Sequence, residues 1–378
     1  MKILQIGASW LAYQFSGLER YFADLVTHLP ALGTEITAFA YELKAAPEIN
    51  GLKLVSLGSQ DQSMAHKFIR QRRTLKQYLN NGTDLIVSHC TPSLFPSLAD
   101  LRHKPLVCHF HGPRYLERRT EGANVISVQM SKFIEQQVYA KTHHAITLSL
   151  YMKNLLIEKY RFPEDKISVV PGGVSIERFK VPVSSREARE LLTIPQDRPV
   201  IVCVRRLEGR MGLENLIQAI IEVRKAHSDV LLLIVGKGRL CESLTHQIQS
   251  SNLSNNIRMI GAVTDERLPL YYRAANFSIV PTIAYEGFGL ILLESLASGT
   301  PVLATPVGAI PEVLTPLSDS SLLEGISPKA LAAGITEALS GRRTLPNAVE
   351  CESYAANYAW SIIATQVNGI YQKVVGLN

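Results

Sequence analysis

Short apolar runs separated by helix-patterned segments recur along the whole chain, and this alternation restricts the fold more than any other feature. Runs at residues 2–7, 35–40, 52–57, 85–88, 106–110, 145–148 and 167–170 read as strands. Between the first two, Leu18, Phe22, Leu25, Val26, Leu29 and Leu32 fall at helical spacing, which predicts a helix over 18–32. Strands this uniformly apolar must be buried on both faces, so the pattern predicts a parallel sheet covered by helices on either side. It starts again at residue 200, with strands expected at 200–204, 230–235, 257–260, 277–280 and 301–304. Two doubly wound α/β domains are therefore expected, with a ligand cleft at the carboxyl ends of their strands.

The length of 378 residues agrees with this, since one hydrophobic core rarely extends so far. Residues 180–199 carry three prolines among mostly polar residues and are the expected linker, giving domains 1–180 and 181–359. No apolar run reaches the ~18–20 residues of a membrane span, and the first residues read as a strand rather than a leader. A soluble, cytoplasmic protein is expected. The five cysteines stand singly without a Cys-x-x-Cys pair, so neither a disulfide framework nor a zinc site is expected. A net charge of +6 suits an anionic ligand or a membrane surface and is too small to indicate nucleic acid as a partner.

The most informative segment runs from Pro281 to Glu294. A strand leads into a loop containing Gly287 and Gly289, and a helix is expected from about Gly289. Free amides at Phe288, Gly289 and Leu290, together with the helix dipole, form a site suited to phosphate. Glu286 lies on the loop and Glu294 within the helix, so their carboxylates can grip hydroxyls at opposite ends of one elongated ligand. Taken alone, the pair also fits a solvated loop glutamate and a helix-surface glutamate. A second candidate is His111, which follows the strand 106–110 and precedes Gly112 and Pro113. There a histidine can donate or accept hydrogen bonds at the carboxyl end of a parallel strand.

Glu286 and Glu294, with seven residues between them, resemble the E-x7-E motif of the retaining glycosyltransferases of family 4, which have the GT-B fold of two Rossmann-like domains facing across a cleft. The segments 169–179, 235–238 and 295–304 resemble further motifs of that family, in the same order along the chain. The resemblance implies a hexose-type transfer from a nucleotide-diphosphate-sugar to an acceptor hydroxyl (glycan, lipid-linked or small-molecule), with no metal and no other cofactor. It implies that Glu286 contacts the donor sugar, Glu294 the nucleotide ribose, and that His111 lies near the reacting sugar carbon. It also implies that Gly17, in the loop Ser16-Gly17-Leu18-Glu19-Arg20, approaches the donor phosphate. The last helix, within residues 360–378, is expected to return to the first domain.

The segment 204–213 resembles the family stretch whose arginine and lysine hold the donor diphosphate. Arg206 matches the arginine, but Met211 stands at the lysine position. Arg210 is the expected replacement, with Arg205 in reserve, because an arginine fork can grip diphosphate oxygens. No Asp-x-Asp occurs, which counts against the sugar-transferase fold that depends on such a metal site. Two other readings share this scaffold: a nucleotide-sugar epimerase, and a non-catalytic sugar-binding protein. Finally, residues 65–79 form a basic amphipathic helix. Phe68, Ile69, Leu75 and Leu79 are expected to face inward, with Lys67, Arg70, Arg73 and Lys76 outward as a solvated face or a contact with anionic membrane.

Overall fold

A computed structural model describes residues 1–10, 16–43, 48–59, 61–79, 82–101 and 104–376. The chain divides into two compact units, Met1–Gly173 with Trp360–Asn378, and Val174–Ala359. The last two residues of the expected C-terminal stretch, 377 and 378, lie outside the described residues.

Among the described residues, seven strands build the first unit: β1 (Lys2–Ser9), β2 (Glu35–Tyr41), β3 (Leu52–Ser56), β4 (Leu85–Ser88), β5 (Leu106–Phe110), β6 (His144–Thr147) and β7 (Ile167–Val169). They form one parallel sheet in the order β3-β2-β1-β4-β5-β6-β7. The second unit holds β8 (Val200–Val204), β9 (Leu231–Val235), β10 (Ile257–Gly261), β11 (Phe277–Val280) and β12 (Val302–Ala304). These are also parallel, in the order β10-β9-β8-β11-β12. Interior strands are buried along nearly their whole length, as at β5 and β9, because helices cover both faces. The edge strands β3 and β10 have exposed positions, and there Lys53 and Arg258 enter the sequence.

Each sheet reverses its winding direction once, between β1 and β4 in the first unit and between β8 and β11 in the second. Loops leaving the carboxyl ends of such a pair run apart, which opens a crevice within the unit. His89 follows β4 and His111 follows β5, while Arg205 follows β8 and Pro281 follows β11.

Two details depart from the sequence pattern. The first helix covers Gly17–His28 and continues as a 3-10 turn over Leu29–Leu32, since Pro30 has no N–H for another α-helical bond. The stretch expected to link the domains belongs to the second unit. It contains the helix Ser185–Leu191, started by a capping box between Ser184 and Glu187. Arg189 is buried there, donating to the carbonyls of Ala274, Gln196 and Arg198 and to Asn276 Oδ1. Polar composition marked this stretch as solvated, but one arginine takes up the carbonyls that would otherwise need water.

The helix Trp360–Val375 packs within the first unit. Its Trp360 is buried, donates from Nε1 to Asp24 Oδ2 at 3.2 Å, and meets the Tyr21 ring edge-on.

Candidate active site: a carboxylate at a helix start and a histidine chain

In the second unit, the loops after β8 and β11 are tied together. Arg205 donates its backbone N–H to Val235 O at 2.9 Å. At Gly236 (φ +143°) a Cβ would lie 1.8 Å from Arg205 O, so only glycine lets the two chains approach. The Arg205 side chain is buried, and its Nη2 donates to Glu286 Oε2 at 2.5 Å and to Thr282 Oγ1. Thr282 also donates to Glu286 Oε2 at 3.3 Å. The Glu286 carbonyl accepts from Ala309 N at 3.0 Å, so both ends of this residue are held.

Gly289 (φ +83°) turns the chain into the buried helix Leu290–Ala297. A Cβ at Gly289 would lie 3.7 Å from Glu286 Cδ, which places the carboxyl group beside the amides of the helix start. Gly287 is half-buried, and Phe288 is buried against Tyr358, so Phe288 can offer a ligand only its backbone. Glu294 is 4% exposed and accepts from Tyr272 OH at 3.3 Å. Burial rules out the helix-surface reading of this glutamate.

Among the neighbouring cations, Arg206 is exposed and Arg210 half-buried. Arg210 Nη1 donates to Tyr285 O at 3.0 Å, and Arg210 O accepts from Ile283 N at 3.0 Å. These bonds steady Tyr285, which has a φ of +52°, a conformation that costs a non-glycine residue ~1 kcal/mol or more. Met211 is buried. The buried cation touching the candidate carboxylate is thus Arg205, the residue held in reserve by the sequence.

In the first unit, His111 belongs to a stack with His89 and His109, whose planes lie within 16–29° of one another. Burial pushes the His111 imidazole down to about 4 and holds His89 and His109 well below the ordinary histidine range, so all three are neutral near pH 7. Gln5 Nε2 donates to Tyr371 OH at 3.5 Å, which turns Gln5 Oε1 toward His89 Nε2 at 2.8 Å. His89 therefore carries its proton on Nε2 and accepts at Nδ1 from His111 Nε2, 3.4 Å away. His111 is left with a bare Nδ1, an acceptor. His109 is held between Tyr21 OH at 3.1 Å and Tyr371 OH at 2.7 Å.

The three histidines place ring nitrogens within 4.8 Å of one another, spacing that could hold a metal ion. Five of the six nitrogens already have hydrogen-bond partners, and stacked rings do not aim their lone pairs at one point. The group is better suited to hydrogen bonding than to ligation. Sequence reasoning missed Gln5, His89 and Tyr371. His89 was accessible to it, because it follows β4 just as His111 follows β5.

Gly17 opens its helix and is exposed, with Ser16 before it donating a side-chain bond to Glu19. The basic helix spans Met64–Leu79. Arg70, Arg73 and Lys76 are exposed as expected, and Lys67 is half-buried. Ile69 is a correction: it is 70% exposed, and Gln71 takes the inward place, accepting from Tyr41 OH at 2.8 Å. Leu75 and Leu79 share one helix face with Phe68 and Gln71, and at 3.6 residues per turn Ile69 lies well off that face. Among the described residues no helix is long and apolar enough to cross a membrane.

Comparison with known proteins gives the same picture. Residues 184–358 match the family model for glycosyl transferases group 1, and residues 15–178 match that for glycosyltransferase family 4. An uncharacterized glycosyltransferase of Methanocaldococcus jannaschii is 27% identical over 251 residues, 64% of either chain. A GDP-mannose-dependent monoacylated alpha-(1-6)-phosphatidylinositol monomannoside mannosyltransferase of Corynebacterium glutamicum is 30% identical over 214 residues, 54% of this chain and 55% of that one. The chain thus spans between half and two thirds of the length of these two relatives. The solved structure of HepE from Anabaena, in complex with UDP and glucose, has a TM-score of 0.80 at 19% identity, covering 99% of this chain and 100% of that one. With both sheets and both family matches in place, the chain belongs to the family 4 glycosyltransferases of the GT-B fold.

Proposed function

We propose that this protein is a metal-independent, retaining glycosyltransferase that moves a hexose-type sugar from a nucleotide-diphosphate-sugar to an acceptor hydroxyl. The observation that carries the reading is the buried Glu286 carboxylate, held beside a helix start where the second sheet reverses direction. In this proposal Glu286 orients the donor sugar and Glu294 the ribose. Arg206, Arg210, Gly17 and the amides of Gly287, Phe288, Gly289 and Leu290 compensate the diphosphate charge. The bond from the anomeric carbon to the diphosphate breaks while a bond to the acceptor oxygen forms on the same face. The acceptor proton passes to a departing phosphate oxygen, so no protein nucleophile takes part. His111, neutral and bare at Nδ1, accepts a hydrogen bond from a sugar hydroxyl.

The names of the relatives support a nucleotide-linked donor: one depends on GDP-mannose, and HepE holds UDP and glucose. We further propose peripheral contact with anionic membrane through Lys67, Arg70, Arg73 and Lys76, at the cytoplasmic face. A thermal-shift screen over GDP-, UDP- and ADP-linked hexoses tests the donor reading, since a bound donor stabilises the fold by mass action. A shift with one base series, followed by sugar transfer with retained anomeric configuration, is expected. No shift with any of them would refute it.

A further inference from the structure

The geometry points to Arg205 as the fixed cation of the donor diphosphate site, in place of the lysine that Met211 displaces. The inference rests on the proposed donor reading. A guanidinium grips a carboxylate or phosphate best along the edge formed by Nε and Nη2, with two parallel bonds. Arg72 does this to Asp100, with Nε–Oδ2 at 2.6 Å and Nη2–Oδ1 at 3.2 Å. Arg343 likewise uses Nε and Nη2, both on Glu337 Oε2, at 3.1 and 3.0 Å.

Arg205 presents the same edge to its site, but only Nη2 is engaged. Its Nε is buried and has no hydrogen-bond partner among the described residues. A charged donor shut away from water and left unpaired costs ~1–3 kcal/mol or more, so an oxygen is the natural occupant of that position. A phosphate oxygen suits it for two reasons. The neighbouring helix start, beside Glu286, contributes free amides of the same sign. Arg205, Arg206 and Arg210 outnumber Glu208 and Glu286 in these two loops, and Glu208 is already paired with Arg239. A buried ion pair is also a poor stabiliser in its own right, because desolvation offsets most of the attraction. Arg210 adds charge in the same loops, but it is half-buried and its Nη1 is committed to the Tyr285 carbonyl, which steadies that turn.

In the free protein Glu286 therefore occupies part of the edge that the diphosphate takes. Binding of a nucleoside diphosphate without sugar should be opposed by Glu286 and favoured by Arg205. A role of Arg205 confined to holding the loop would not distinguish phosphates in this way.

The test is calorimetric titration of the full chain with GDP, UDP and ADP, each beside its monophosphate. The native protein is expected to prefer one diphosphate over its monophosphate. Arg205→Met should lower that preference by about tenfold or more while monophosphate affinity stays within about twofold. Arg205→Lys, which keeps the ion pair but lacks the planar edge, should fall between. Glu286→Gln should raise free diphosphate affinity severalfold, and this arm needs no change at Arg205. Arg210→Met should lower the preference less than Arg205→Met. A preference unchanged in Arg205→Met or Arg205→Lys, or lost more in Arg210→Met, overturns the assignment while leaving the donor reading intact. Failure of the native protein to bind any of the three diphosphates overturns both.

Discussion

Glu286 and Glu294 have the same charge and sit in the same unit, yet their surroundings prepare them differently. Glu286 is fixed by Arg205 and Thr282 on a loop, and Glu294 by Tyr272 inside a helix. Glu286→Gln should slow sugar transfer by about ten- to a hundredfold, the loss of one charge-assisted hydrogen bond of ~1.5–3 kcal/mol. Glu294→Gln should chiefly raise the KM for the donor. Steady-state kinetics separate the two, and unchanged constants in both variants would remove the carboxylates from the site. The histidine chain permits another test at this scale. With Gln5 setting His89, and His89 setting His111, Gln5→Leu should release the His111 tautomer without touching it. Nitrogen-15 spectra of labelled histidine should then show His111 shifting from protonation at Nε2 to a mixture.

Elements were largely legible from sequence because their cause is local. The twelve strands of the described residues fall within two residues of the apolar runs, since burial on both faces leaves little freedom in composition. The Glu286 loop was legible through its glycines and its strand-to-helix setting. What stayed hidden depends on long-range pairing. Arg205 stood behind Arg206 and Arg210 as the reserve cation, and its ion pair with Glu286, far along the chain, was not legible. The rotation of the helix Met64–Leu79, by contrast, was legible, since Ile69 lies off the stripe that Leu75 and Leu79 share with Gln71. That rotation leaves Ile69 beside Arg70, Arg73 and Lys76 on the exposed side, and the helix Val125–Lys141 exposes Val125, Ile126, Met130 and Phe133. Ring contacts from Phe68 through Phe95 to Phe133 join the two helices. Cations beside apolar side chains suit an anionic bilayer surface. The protein should sediment with acidic vesicles and be released by salt, which screens exposed charges within ~8–10 Å. Replacing Lys67, Arg70, Arg73 and Lys76 by Gln should abolish this binding and spare nucleotide affinity. Persistence of binding in that variant would assign the surface another role.

For the whole molecule, buried titratable groups set opposing trends with pH. His89, His109 and His111 have lowered values, so the stability they permit is complete above about 6.5 and is lost as pH falls toward their folded values. His111 alone, near 4 in the fold, should cost about 2 kcal/mol at pH 5. Glu135 acts in the opposite sense. Burial raises its carboxyl to about 7, despite bonds from the amides of Arg114 and Tyr115, so its contribution is lost as pH rises from about 4.5 to 7. Thermal melts of Glu135→Gln should isolate the histidines, with Tm falling steadily from pH 7 to 4.5, and a flat profile would contradict their burial as neutral rings. The helix Trp360–Val375 bears on the same scale, because Trp360→Ala should destabilise the first unit by ~3–5 kcal/mol in denaturant melts. That helix also imposes an order on biosynthesis. Trp360 and Tyr371 complete a core whose other members lie before Gly173, and the whole of Val174–Ala359 must leave the ribosome before they arrive. At roughly 5–20 residues per second, the first unit waits about 10–40 s with its tryptophan socket open. The second unit, continuous in sequence, can close during that interval, so the half that is translated first is the half that finishes folding last.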